Sequence, residues 1–296
     1  MKILCVGISV QDRIFSVDSL PKEEGKFFAR NLKEQGGGPA STAAVACARL
    51  GIDTDMIARV GDDATGQGIL DELKNEGVNV EKMRVIKNAI STQASILVDQ
   101  QGNRIIVSYP SPSLDVDASF METIDFSQYN MVLADVRWHE GALKAFELAN
   151  KAGVPTVLDA DITPQPIDSL VKLASHVVFS KPGLIKFTGC SNINEALKIA
   201  EDKTDGRIYV TLGSDGYSYI ENGIIKHQNG FKVKVVDTTG AGDVFHGAFA
   251  CALCLGYEIE PALKFAAATA ALKCTKAGGR SGIPTINEVK EFCLRN

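Results

Sequence analysis

The sequence predicts an α/β protein: a parallel sheet covered by helices on both faces, with a smaller sheet beside it. Three observations carry that expectation. Apolar, β-branched runs of strand length recur along the 296 residues. Helix-length amphipathic segments separate them, and two stretches of mixed polarity break the alternation.

In chain order, Ile3 to Val6 is the first strand. Gln11-Asp12-Arg13 follows too soon for a secretory leader, and no small-residue cleavage site is present. Asp12 to Lys33 is the first break in the rhythm. Ala40 to Leu50 has helical spacing and stops at Gly51. Asp55 to Val60 reads as a strand and Gly66 to Asn75 as a helix. Ser91 to Tyr109 is the second break, where Gln93 to Asp99 and Arg104 to Tyr109 flank the turn Gln100-Gln101-Gly102-Asn103 as a hairpin. Strands at Met131 to Ala134, Thr156 to Leu158, Val177 to Phe179 and Ile208 to Leu212 then alternate with helices at Glu140 to Ala152 and Ile193 to Glu201. Helices at Ala241 to Leu255, Pro261 to Lys273 and Asn287 to Leu294 close the chain. With no repeat and no long linker, residues 1–296 read as one body. The extra strands, from about 12–33 and 91–109, read as a lid over a site on it.

Lys and Arg number 31 against 36 Asp and Glu, a net charge of −5, and no Lys/Arg-rich block offers the footprint that a nucleic acid needs. Seven cysteines, an odd number without the spacing of a disulfide framework, fit free thiols in a reducing compartment. Cys251 and Cys254 form a C-x-x-C inside the apolar run Phe249 to Leu255, where buried helix positions explain them better than metal or redox chemistry. The longest charge-free helical stretch, Val244 to Tyr257, falls short of the ~18 apolar residues that span a bilayer. A cytoplasmic protein is expected, with neither membrane nor nucleic acid as a partner.

The chemistry concentrates in Asp237-Thr238-Thr239-Gly240-Ala241-Gly242-Asp243. Gly240, Ala241 and Gly242 are small enough for their N–H groups to approach a ligand, and Val244, Phe245, Ala248, Phe249 and Ala252 follow at helical spacing. A helix start presents unpaired donors and a positive dipole end, which suits a phosphate or a developing anion. Asp243 would repel a phosphate there. Spacing alone leaves two readings open: a general base that takes a proton from an attacking hydroxyl, or a first-turn charge worth ~0.3 to 1 kcal/mol to its helix.

This segment is similar to the C-terminal signature D-T-x-G-A-G-D of the PfkB, or ribokinase-like, carbohydrate kinases. Gly36-Gly37-Gly38-Pro39-Ala40 through Ala48-Arg49-Leu50-Gly51, then Arg59-Val60-Gly61-Asp62-Asp63 and Gly66, resemble the family's N-terminal signature. The resemblance covers nearly the whole chain. It implies a ribokinase-like three-layer α/β/α body with a β lid, ATP and Mg²⁺ as cofactors, and γ-phosphoryl transfer to a sugar hydroxyl. It is also the stronger reason to expect a homodimer through the lid, whose open edge a second copy would cover. Residue by residue, it implies that Asp243 is the catalytic base and that Gly240, Ala241 and Gly242 form the anion hole. Val210 to Gly216 resembles the family's nucleotide loop, placing Thr211, Gly213, Ser214 and Gly216 near ATP; alone, Gly213 and Gly216 read as a β-turn. Asp12 resembles the acid that holds sugar hydroxyls, and Gly37 and Gly38 let the sugar lie close to backbone.

Four positions depart from the family pattern. Gly183 and Lys186 stand where an N-x-x-E motif is expected, and Ser41 replaces a sugar-contacting Asn. Asp159-Ala160-Asp161 replaces D-x-N, so Asp161 either helps organise Mg²⁺ through water or caps a turn. His246 reads as a structural helix residue rather than a proton carrier.

Within the family, Leu20 to Asn31, Tyr109-Pro110-Ser111-Pro112 and Val132 to His139 are most similar to the 6-deoxy-6-sulfofructose kinases, which implies phosphorylation of O1 of that sugar. The physics is compatible. Lys26 lies on the expected lid and Arg137 follows a strand at its carboxyl end, where α/β ligands bind; together they would meet one sulfonate. Taken alone, Lys26 reads as a solvated charge, and Arg137 as a residue open to an ion pair with Asp135. Ser108 stands where the sulfosugar kinases carry Asn, with a shorter reach. Trp138 and His139 carry no assigned role. A fructokinase or hexose-phosphate kinase is the competing enzyme reading. A non-catalytic sugar or nucleotide sensor, suggested only by the missing N-x-x-E, is the reading of another class. No P-loop, dinucleotide fingerprint or protein-kinase motif occurs.

Overall fold

The computed structural model describes all 296 residues, Met1 to Asn296. The first half of the chain contains β1 (Lys2–Val6), β2 (Val10–Ser16), β3 (Asn31–Gly37), α1 (Pro39–Arg49), β4 (Asp53–Ile57), β5 (Arg59–Gly61), α2 (Ala64–Asn75), β6 (Arg84–Ile86), β7 (Gln93–Val98) and β8 (Arg104–Tyr109). It continues with β9 (Met131–Asp135), α3 (His139–Lys151), β10 (Thr156–Ala160), α4 (Asp168–Leu173), β11 (His176–Ser180), α5 (Lys181–Thr188) and α6 (Ile193–Glu201). Three strands and three helices complete it: β12 (Arg207–Thr211), β13 (Tyr217–Glu221), β14 (Ile224–Gln228), α7 (Ala241–Cys254), α8 (Ile259–Cys274) and α9 (Ile286–Arg295).

Eight strands form the central sheet in the order β14-β13-β12-β11-β10-β9-β1-β4, parallel except for the β12–β13–β14 end. Side chains alternate across it. Ile3 and Cys5 of β1 face a core built with α1, α7 and α8, whereas Leu4 and Val6 face one built with α3, α4 and α6. Burial on both faces is why these strands read as unbroken apolar runs. Four further strands, β3-β2-β7-β8, form the separate lid sheet. This is the expected α/β ribokinase-like fold with its small second sheet. No helix is long and apolar enough to cross a membrane, and all seven cysteines are free thiols.

Two expectations need correction. Asp55 to Val60 is not one strand: β4 belongs to the central sheet and β5 pairs with β6 in a two-stranded ribbon. The chain changes sheets at Ala58, which a continuous apolar run conceals. The hairpin β13–β14 was not expected, although Asn222-Gly223, both at positive φ, is a two-residue hairpin turn. Helices α4 and α5 are additional.

The helices that carry the glycine motifs cross each other closely. A β-carbon on Gly247 of α7 would lie 2.5 Å from the Ala43 carbonyl oxygen of α1, so the contact requires glycine. Gly247→Ala is expected to lower stability by about 1–3 kcal/mol through overpacking and to reduce kcat as the helix starts move apart. A thermal melt and initial rates on the same preparation check both effects.

Candidate active site

The site lies at the carboxyl edge of the parallel strands, where the ends of β1, β9, β10, β11 and β12 open. Gly240, at φ +74°, is the N-cap of α7. The Ala241 N–H closes the turn onto Thr238 O at 3.1 Å. The Gly242 and Asp243 N–H groups have no acceptor within the chain. Of the expected anion-hole trio, Ala241 therefore spends its donor on the turn, and Asp243 adds one of its own.

This turn is stitched to the end of α8. Val236 and Asp237 N–H donate to Cys274 O at 2.8 and 3.1 Å. The Asp237 carboxylate accepts from Thr239 N at 2.8 Å and from Gly278 N at 2.9 Å. Lys273, with a fully buried side chain, donates from Nζ to Asp237 O at 2.9 Å. Sequence reasoning treated Lys273 only as the last residue of a helix. Its signal was a lysine in an apolar helix three residues after Ala270.

Asp243 sits half-buried in the first turn of α7. Burial pushes its carboxyl up to about 7, Asp159 adds to the rise, His246 opposes it, and Asp135 and Asp161 contribute further repulsion. These neighbours have other duties. Asp135 Oδ2 accepts from Ile8 N and Ala40 N, both at 3.0 Å, and Oδ1 accepts from Arg137 N at 2.8 Å. Buried Asp159 is pushed well above the carboxylate range by burial and by Asp135. It faces His246 Nδ1 at 3.4 Å, while His246 Nε2 lies 3.3 Å from Val178 O. Val178 O can accept only from a protonated Nε2, and burial lowers the imidazole. His246 is thus tied into the core, as expected.

Asp161 is engaged at both oxygens, by the Ser180 hydroxyl at 2.7 Å and by Arg137 Nη2 at 2.9 Å. Against the push of burial, these contacts hold it below the usual carboxylate range. Arg137 therefore pairs with Asp161 through its side chain and with Asp135 only through its backbone. No group of three or more His, Cys, Asp or Glu is arranged to hold a metal. The chain builds no all-protein magnesium cage, and Mg²⁺ held by nucleotide phosphates and water needs none.

Beside the turn opens a cavity of about 530 Å³. The expected nucleotide residues Thr211, Gly213, Ser214 and Gly216 line it, together with Ala241 and Gly242. Its apolar wall was not foreseen: Phe231, Val233 and Val235 from the segment after β14, and Ala267, Ala270, Ala271 and Cys274 from α8. The spacing of the four α8 residues marks one small-residue helix face, open to a flat ring system.

The expected sugar residues approach from the other side. Asp12 is half-buried on β2, beside Gly37, whose β-carbon would lie 2.4 Å from Asp12 Oδ2. Gly38 is the N-cap of α1. The two halves meet where a β-carbon on Gly240 would touch Thr42 Cγ2 at 3.3 Å and Asp243 Oδ2 at 3.6 Å. Lys26 and Ser108 are exposed on the lid segment and on β8, and neither side chain makes a hydrogen bond or ion pair within the chain. Arg280, unnoticed in the sequence, reaches Gly37 O at 2.8 Å.

A nucleotide-sized cleft, unpaired donors at a helix start and a carboxylate of raised proton affinity together define a phosphotransferase that acts on an alcohol. A pfkB family carbohydrate kinase model matches residues 1–286, and the chain belongs to that family. It is 31% identical over 300 residues to the ribokinase of Bacillus subtilis, covering 99% of each. A solved structure from Agrobacterium tumefaciens superposes with a TM-score of 0.92 at 35% identity, covering 99% of this chain and 97% of that one. The Arabidopsis thaliana ribokinase complexed with ribose and ATP gives 0.87 at 26% identity, covering 98% and 97%. The chain is thus an ATP-dependent sugar kinase of the pfkB family.

The raised Asp243 affinity has two consequences of opposite sign. The folded protein binds this proton more tightly than the unfolded chain, so its contribution to stability is full below about pH 4 and is lost as pH rises toward 7. The proton-accepting form appears over the upper part of the same window. kcat is expected to rise with pH through about 7. Asp243→Asn should lower kcat by about 10²–10⁴-fold and raise the melting temperature at pH 8. A loss of activity under tenfold would remove Asp243 from the mechanism.

Proposed function

We propose that this kinase transfers the γ-phosphoryl group of ATP to the O1 hydroxyl of 6-deoxy-6-sulfofructose, with Asp243 as general base. The observation that carries the transfer step is the Asp243 carboxyl beside the free Gly242 and Asp243 donors at the head of the nucleotide-sized cleft. ATP lies along Thr211, Gly213, Ser214 and Gly216 with its ring toward the α8 wall. The sugar sits over Gly37 and Gly38 with its hydroxyls on Asp12. As O1 attacks phosphorus, Asp243 takes the hydroxyl proton. The Gly240–Gly242 turn and the helix dipole meet the charge that shifts among the phosphoryl oxygens. Mg²⁺ bound to the phosphates supplies charge neutralisation. Asp161 supports the site by orienting Arg137.

The sulfonate assignment rests on the three stretches similar to sulfofructose kinases and on Arg137. That side chain is 39% exposed, and one of its terminal nitrogens binds Asp161. The rest of the planar guanidinium keeps donors for a bidentate contact with two sulfonate oxygens. Lys26 joins it when the lid closes, and Ser108 makes the shorter polar contact. A kinase for an uncharged pentose is the second reading, favoured by the identity with ribokinases.

Initial rates with ATP on 6-deoxy-6-sulfofructose, fructose 6-phosphate, fructose and ribose separate these readings. The sulfonated sugar is expected to lead in kcat/KM by at least about 100-fold, the scale of one lost charge-assisted contact; ribose leading would overturn the assignment. Arg137→Met is expected to remove most of that lead and to change the rate on fructose by less than about threefold.

The lid supports a second proposal, a homodimer. Every residue of β8 is exposed, Ile106 and Val107 by 53% and 64%, and Leu32 on the other edge strand by 53%. A second copy covers such a row of apolar groups and open strand edges. Sedimentation should give twice 31.7 kDa, and Val107→Asp should return the protein to a monomer.

A further inference from the structure

The loop that follows α8 plants one side chain inside the body. Arg280 is 3% exposed, and a guanidinium so placed needs partners to keep its charge. Nη2 donates to Gly37 O at 2.8 Å and to Ser41 Oγ at 2.7 Å, and Nη1 donates to Glu72 Oε1 of α2 at 3.2 Å. Nε is buried without an acceptor. A β-carbon on Gly36 would lie 1.9 Å from Nη1, so the guanidinium rests directly against the backbone that ends β3. Ser41 Oγ itself donates to Gly37 O at 2.6 Å.

Asp12 lies against the same Gly37. The glycines that join lid strand β3 to body helix α1 are therefore held between a buried cation and the carboxylate assigned to the sugar. Ser41 departs from the family's Asn, and the guanidinium uses the hydroxyl that the shorter residue provides.

We propose that Arg280 is a positioning residue for the sugar: it fixes the Gly36–Gly38 joint between lid and body, against which the Asp12 carboxylate lies. The inference deepens the sugar-kinase reading above and rests on it. Burial pushes the Asp12 carboxyl up to about 6, Arg280 pulls it down, and Glu72 pushes it up. On the same strand Arg13 pairs with Glu34 of β3 at 2.7 Å. Without Arg280, burial and Glu72 push the Asp12 carboxyl further up, and the ionised acceptor for sugar hydroxyls is less populated near neutral pH.

The test compares full-length wild type, Arg280→Met and Arg280→Lys, using the sugar that the wild type phosphorylates fastest. For Arg280→Met, KM for the sugar should rise at least tenfold, with KM for ATP within twofold and kcat within about threefold. Calorimetric sugar affinity, which in the wild type should tighten as pH rises through about 6, should tighten only at a pH at least half a unit higher. Unchanged sugar KM, or equal losses in sugar and ATP KM, would overturn the proposal. If a melt shows that the methionine variant does not fold, Arg280→Lys decides. Its retained charge should keep the pH dependence in place while the lost fork geometry raises sugar KM several-fold, and wild-type KM in that variant would overturn the assignment. Failure of the wild type to phosphorylate any sugar would refute the sugar-kinase reading instead. Calorimetric sugar binding in wild type and variant would then decide the role of Arg280 separately.

Discussion

The crossing of α7 over α1 is the constraint on which the site depends. Gly247 lets the two backbones pass at a distance that any side chain would block, and the crossing lies about one turn from the start of α1 and about two from the start of α7. The N-termini of α1 and α7 consequently emerge side by side. One carries the glycines over which we propose the sugar sits, and the other carries the free donors and the carboxylate proposed as base. Thr42 against Gly240 marks the seam. Two helix dipoles thus point their positive ends into one space where an anion is handed over.

That convergence gathers four carboxyl groups, Asp135, Asp159, Asp161 and Asp243, at one sheet edge, and their mutual repulsion has to be managed. Each is treated differently. Asp135 is committed to backbone donors from three segments. Asp159 is pushed up by burial and by Asp135, and faces His246, whose imidazole burial lowers. Asp161 keeps its charge through Arg137 and Ser180. Asp243 alone has neither a committed partner nor full burial, so its proton can be exchanged with a ligand. Near neutrality, burial and repulsion outweigh the stabilising helix dipole, and the group is poised rather than permanently ionised.

Two buried cations brace the site from behind, and both come from the end of α8 and the loop after it. Lys273 holds the Asp237 carbonyl at the base of the turn that leads into α7, and Arg280 holds the Gly37 carbonyl at the base of the Gly36–Gly38 loop. Each neutralises backbone dipoles that would otherwise oppose an anionic ligand. The same α8 segment supplies the small-residue wall of the nucleotide cleft. Nucleotide wall, anion-hole turn and sugar loop therefore share one rigid support.

Much of this was legible in the chain itself. Alternation of apolar strands and amphipathic helices determined the two-faced sheet, and the glycine-rich segment before Asp243 determined where a helix would start and what it could bind. The strand end and turn at Thr211 to Gly216 were readable because they are written in consecutive residues. The β13–β14 hairpin was equally local, and its Asn222-Gly223 signal was overlooked. Tertiary structure alone decided the rest. Arg280 meets a carbonyl 243 positions earlier, Lys273 meets one 36 positions earlier, and Arg137 settles on Asp161 rather than Asp135. Periodicity and turn chemistry act between neighbours and leave a local trace. The partner of a buried charge is chosen by which backbone groups the finished packing brings within 3 Å, and that choice leaves no pattern in the sequence.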